Sequence, residues 1–328
     1  MANNPQAATG AAAAPAAAPA VTVVPKKYFA SIYPTDKSLP DEFGKLITEL
    51  EEKLELPIWL IVQNDDESDW GYLSREVYND FRNAKNKIEE GKPVALLLHS
   101  GGGQAEYAYK IVRIFQRRSA ELTILVPHYA KSAATLMALG GKRIIMGGEA
   151  ELGPLDVQIY DSEKEDYDSA LNAVQSLERL NAYALTALDQ GMQLFLARTR
   201  KKPDALLPLA ITYATGIIKP LVEKIDTIDL TKKSRELKVA EDYAIRLMRS
   251  NYAPQVAQRI ASHLVERYST HGFVIDRTEA MVYETPARSK PFGLGLKIEK
   301  AKSEIELVFD SLTPHLEKLT VVGRVVER

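Results

Sequence analysis

The sequence predicts an α/β protein, on three observations. Unbroken apolar runs of strand length recur at PVALLLHS (93–100), ELTILVPH (121–128) and KRIIMG (142–147). Helical patterns separate them: QAEYAYKIVRIFQRR (104–118), with Ala105, Ala108, Ile111, Val112 and Phe115 on one side, and AKSAATLMALGG (130–141), ended by Gly140 and Gly141. Glycine-rich turns, GGG and GEAELGPLD, punctuate the series. Strands buried on both faces read as continuous apolar runs, and strand–helix alternation implies right-handed parallel crossovers.

The elements follow in order. Residues 1–25 are rich in Ala and Pro and carry no large apolar cluster, so they are read as a disordered tail. They lack the basic start and Leu-rich centre of a secretory signal. PDEFGKLITELEEKLEL (40–56) has helical spacing and leads into PIWLIVQ (57–63), a strand. NDDESDW is an acidic loop, and YLSREVYNDFRNAKNKIEEG is an amphipathic helix closed by Gly91. After the three strands the pattern changes. The stretch from 161 begins acidic and then turns helical, with further helical patterns over 204–224 and 231–268. The end of the chain mixes a helix and a strand. The domain reading is a tail, a main domain over 26–300 with a helical insertion at about 161–265, and a C-terminal extension over 301–328.

Composition excludes several classes. Hydrophobic content of 45%, charged content of 26% and a net charge of -2 are those of a globular protein with no electrostatic footprint for nucleic acid. The chain has no cysteine, which rules out disulfides, thiolate metal sites and a cysteine nucleophile, and fits a cytoplasmic protein. The apolar runs LPIWLIV and VALLLH are strand-sized, and no membrane span is expected. No His, Asp and Glu set has zinc-site spacing, and no metal or cofactor is expected.

Ligand sites in open α/β sheets gather at the carboxyl ends of strands. Two features sit there. In HSGGGQAEYAY the glycines let backbone N–H groups face a ligand, or simply make a tight turn. The spacing matches neither a phosphate loop nor a dinucleotide fingerprint. In HYAKSAATL, Ser132 falls at the first turn of a helix after a buried strand, the placement of a nucleophile elbow. Serine also caps helices, and that reading stays open. Neighbouring parallel strands would set the two turns side by side. The N–H groups of Gly102 and Ala133 would then converge on one oxygen, as an oxyanion hole requires.

These residues are familiar. VALLLHSGGGQAEYAYKIVRIF together with ILVPHYAKSAATLMALGGKRIIMGGEAELGPLDVQI resembles the serine dehydrogenase proteinase family, within the wider group of the Clp proteolytic subunit and signal peptide peptidase A. The resemblance is strongest over 93–160 and returns weakly at YSTHGFVIDRTEA. It implies a Clp/crotonase fold of repeated β-β-α turns stacked as a superhelix. It implies a serine peptidase-like hydrolase with Ser132 as nucleophile and Gly102 and Ala133 as oxyanion donors. It also implies a homo-oligomer acting on peptide or protein. Gly101 stands where relatives carry proline, so the turn is less rigid.

The general base is open. The Clp histidine would fall near Pro154. A downstream lysine, as in the signal peptide peptidase group, points to Lys232, Lys233 or Lys238, and analogy favours Lys238. Lys131 adjoins Ser132, but consecutive residues at a helix start point apart. His128, His271 and His99 are rival bases, with Asp156 to orient one of them. Two alternatives remain: a catalytically inactive binding or assembly module on the same fold, and crotonase-type acyl-CoA chemistry.

Overall fold

The structure, a computed structural model, describes residues 27–64, 66–155, 158–161, 166–268, 270, 272–281 and 293–328. In chain order, β1 (Tyr28–Ala30) and β2 (Ser38–Leu39) precede α1 (Asp41–Leu54), β3 (Ile58–Val62) and α2 (Arg75–Ala84). Then come β4 (Pro93–His99), α3 (Ala105–Arg118), β5 (Glu121–Val126), β6 (Tyr129–Ala130), α4 (Ala133–Ala138), β7 (Arg143–Met146) and β8 (Glu151–Leu152). A hairpin of β9 (Gln158–Asp161) and β10 (Asp166–Ser169) leads to α5 (Ala170–Arg198), α6 (Pro203–Val222), α7 (Thr227–Met248) and α8 (Pro254–Glu266). The chain closes with β11 (Ile275–Asp276), α9 (Arg277–Ala280), β12 (Ile298–Lys300), α10 (Ser303–Leu316), β13 (Val321–Gly323) and β14 (Val325–Glu327).

The expected α/β architecture is present. The main sheet has the order β12-β7-β5-β4-β3-β13, parallel throughout except for β13. All five residues of IWLIV in β3 are buried, as a strand covered on both faces requires. Alternation sends Trp59, Ile61, Leu96, Leu98, Ile124 and Met146 into one core, and Leu60, Val62, Ala95, Leu97 and Leu125 into the other. The first core is filled by α2, α3, α4, α7 and α8, with Phe115 edge-on to Trp59 and Phe81 and those two rings tilted against each other, at centroid spacings of 5.6–5.9 Å. The second lies under α1 and α10.

At their carboxyl ends the strands turn off into a smaller sheet. Strand β6 pairs in parallel with β8, β11 pairs antiparallel with β8, and Ser100 bridges Ala130. Strand β5, strand β6 and helix α4 thus make one β-β-α turn, the repeat expected from the family resemblance. This second layer holds the site.

The structure departs from the sequence reading in several places. Residues 301–328 are built into the domain: β13 extends the main sheet beside β3, and β14 pairs with β1. The single helical pattern over 231–268 is two helices. Pro254 has no N–H to continue a helix and disfavours helical backbone before it, so the chain breaks after Met248 and restarts at Pro254. The β9–β10 hairpin was not foreseen in the acidic stretch. Finally, α6 is a 20-residue helix long and apolar enough to cross a membrane by length and composition. It is longer than the strand-sized apolar runs of the sequence reading, because Thr, Tyr, Gly and Pro interrupt its apolar residues.

Candidate active site

Ser132 is the N-cap of α4, with φ 49° and ψ -119°, and its side chain makes no capping hydrogen bond. Only Glu55 shares a positive φ among the described non-glycine residues. An L residue held in this region stores strain on the order of 1–3 kcal/mol, and such strain clusters at functional sites. A true cap behaves otherwise: Ser74, ahead of α2, has ordinary extended backbone and its hydroxyl accepts from Val77 N–H at 3.2 Å.

The glycine turn lies directly against this serine. Gly102 has φ +118°, and a Cβ placed on it would stand 2.9 Å from Ser132 Cβ, 2.9 Å from Lys131 O and 3.1 Å from Ala133 N. Glycine is required twice over, for conformation and for space. The two turns are tied by Lys131 N–H donating to Ser100 O at 2.9 Å. Behind Ser132, the Thr135 hydroxyl accepts from Gly153 N–H (3.0 Å) and has its one proton within reach of either Ala130 O (2.7 Å) or Gly153 O (2.8 Å). Ala133, at N1 of α4, has no intrahelical acceptor for its N–H.

Gly102 is beside the serine, but its N–H is already engaged. It donates to Ser100 Oγ at 3.0 Å, Ser100 donates to Gln63 Oε1 at 2.7 Å, and Gln63 Nε2 donates to Trp70 O at 2.8 Å. Gln63 and Ser100 are fully buried. Sequence reasoning passed over both, although a glutamine at the end of the apolar run PIWLIVQ was the available signal.

The other named residues fall as follows. Lys131 pairs with Glu151 at 2.6 Å and reaches Leu152 O at 3.4 Å, so its ammonium points along β8. Lys238 has a side chain 60% exposed and pairs with Glu241 at 2.6 Å and Asp242 at 3.5 Å; the hydrogen bond to Glu241 raises its pKa above the ordinary lysine value. Lys232 is exposed. Lys233 is buried on the stripe of α7 that carries Leu237, Ala240 and Ala244, and bonds Asp229 at 2.8 Å. Helix α7 packs on α3 and α4.

His128 lies 4.0 Å from Glu317, past the end of α10, and its ring faces His99 at 5.5 Å. His99 is fully buried, on the strand face belonging to the second core, and burial followed by repulsion from His128 pushes its pKa down to about 3. His271 and Asp156 lie outside the described residues. Strand β11 returns to the site's layer, since its Asp276 stands opposite Glu151.

A parallel sheet with turned-out strand ends, carrying a strained serine against a glycine turn, defines a ClpP-like α/β class. The family resemblance is borne out at this level: residues 57–182 match the profile of the ClpP-like SDH-type serine proteinases. That match supports a peptidase-type function. Two uncharacterised proteins of Methanocaldococcus jannaschii are 25% and 24% identical to 64% and 62% of the chain. The chain spans a little over half of their lengths, 58% and 54%. Among solved structures, a variant of the membrane-bound stomatin-specific protease 1510-N is 13% identical, with 70% of this chain and 93% of that one covered at a TM-score of 0.31. The ClpP catalytic domain of Plasmodium falciparum is 12% identical, with 36% and 61% covered at a TM-score of 0.25.

Proposed function

We propose that the protein is a serine peptidase-like hydrolase acting on peptide or protein substrates, with Ser132 as nucleophile. The observation that carries this reading is the strained, uncapped backbone of Ser132 against Gly102. Ser132 Oγ attacks the substrate carbonyl carbon as its proton passes to a base. The carbonyl π pair moves onto oxygen, which Ala133 N–H faces. Collapse breaks the C–N bond, the leaving amine takes the proton, and water then hydrolyses the acyl-serine.

For the base, the reading moves from Lys238 to Lys233. Lys238 is exposed and doubly ion-paired, and an ammonium held in that way is a poor proton acceptor. Lys233 is buried on α7, a helix that packs on α3, α4, α5 and α8; it too pairs with an acid, Asp229 at 2.8 Å, and what favours it over Lys238 is its burial. We further read the protein as a homo-oligomer, as the family resemblance implies, and as cytoplasmic, in keeping with its lack of cysteine.

The experiment is labelling of the full chain with a fluorophosphonate probe. Wild type and Lys238→Met label, whereas Ser132→Ala and Lys233→Met do not. Labelling that persists in Ser132→Ala sinks the proposal. A second reading, an inactive binding or assembly module, is favoured by one observation: Ser100 Oγ occupies the Gly102 N–H that an oxyanion would need. Wild-type protein that never labels, in any oligomeric state, would establish it.

A further inference from the structure

The helical hairpin of α5 and α6 exposes an apolar surface that the peptidase reading does not use. Only Leu206, Ala210 and Ala214 of α6 are buried, and the helix packs on α5. Leu207, Leu209, Ile211, Tyr213, Leu221 and Val222 are exposed, most of them by nearly half. A helix apolar on every side belongs in a protein core or in lipid, and this one is not in the core. Its 20 residues extend about 30 Å, the thickness of a bilayer's hydrocarbon layer.

The two helices form an open groove of ≈ 390 Å³ lined mainly by apolar residues, Leu185, Leu188, Ile211, Ile218 and Val222 among them, with Lys219 and Glu223 also in its lining. On α5, the exposed Thr186, Asp189 and Gln193 do not line it. The groove face is the more apolar one, although it also carries Thr215 and the Lys219–Glu223 pair, and the other side of α5 carries polar groups. At its tip, residues 198–202 read RTRKK: Arg198, Arg200, Lys201 and Lys202 are all exposed, and none of the five residues is acidic.

We propose that this hairpin docks on an anionic lipid bilayer. It lies along the surface with the groove face down and the tip cations among the headgroups. Charge decides between occupants. Anionic headgroups above an apolar layer match a cationic tip set beside exposed apolar side chains. The wet side of α5 and the four tip charges argue for lying on the membrane rather than crossing it.

The test is co-sedimentation of the full chain with extruded vesicles of phosphatidylcholine, with or without phosphatidylglycerol. The expected result is binding to the anionic vesicles, weakened by salt and much lower on neutral ones. Arg200→Glu/Lys201→Glu/Lys202→Glu lowers the bound fraction constant at least about tenfold. Leu185→Asn/Ile211→Asn lowers it as well, and because all these positions are exposed both variants keep the wild-type circular dichroism and melting curve. Two results overturn the proposal: no vesicle binding by wild type, or binding indifferent to headgroup charge and to the tip reversal. An oligomer that Leu185→Asn/Ile211→Asn dissociates, without any vesicle binding, assigns the face to a second copy instead.

Discussion

Gly102 and Ser132 are packed so closely that a single added Cβ on the glycine would come within 2.9 Å of the serine's own Cβ. Each residue is held in a backbone region unusual for side-chain-bearing residues, φ +118° for Gly102 and 49° for Ser132. Gly102→Ala is therefore expected to cost about 1–3 kcal/mol of stability from strain, with a further loss from the clash. It should also abolish probe labelling at Ser132. Chemical denaturation together with labelling checks both, and a variant that melts and labels as wild type would contradict the packing.

The two serine caps predict opposite outcomes. Ser74→Ala removes a bond to Val77 N–H and should cost about 1 kcal/mol. Ser132→Ala removes no capping bond and should be close to neutral in stability. Ser132→Gly should stabilise by roughly 1 kcal/mol through relief of strain, while eliminating labelling. A costly Ser132→Ala would restore the capping role to this residue.

The Gln63–Ser100–Gly102 relay is buried from end to end. Ser100→Ala leaves a buried amide oxygen and a backbone N–H without their partner, at about 1–3 kcal/mol. The substitution frees the N–H of Gly102, a residue packed against the serine turn. Comparing labelling rates of Ser100→Ala and wild type, corrected for stability, reports whether Ser100 restrains that donor or positions it.

His99 makes stability fall toward acid. Its pKa is pushed from 6.5 to about 3 in the folded chain, by burial first and by His128 second. Between those values the unfolded chain binds one more proton than the folded one, so stability rises with pH through that window and its full contribution is present above about 6.5. The loss on acidification is on the order of a few kcal/mol. Urea melts across this range should show the slope in wild type and lose it in His99→Phe. An unchanged slope would move the effect to other groups.

Much of the fold was legible in the chain because it depends on local pattern. PVALLLHS, ELTILVPH and KRIIMG could only be strands covered on both faces, and QAEYAYKIVRIFQRR carried its buried stripe in plain spacing. The pairing of HSGGG with AKSAA was legible for the same reason, since consecutive parallel strands place their carboxyl-end turns together. The break at Pro254 and the apolar length of α6 were written there too but were masked by longer patterns around them.

What the sequence determined by itself was the parallel sheet, the order of its helices and the meeting of Gly102 with Ser132, all consequences of hydrophobic period and chain connectivity. Only the tertiary structure decided the rest. The φ of Ser132, the capture of Gly102 N–H by Ser100 and the contrast between exposed Lys238 and buried Lys233 depend on which atoms of distant segments come within a few ångströms. Residue type and spacing do not encode those distances, because side-chain environment is set by packing between elements rather than within them.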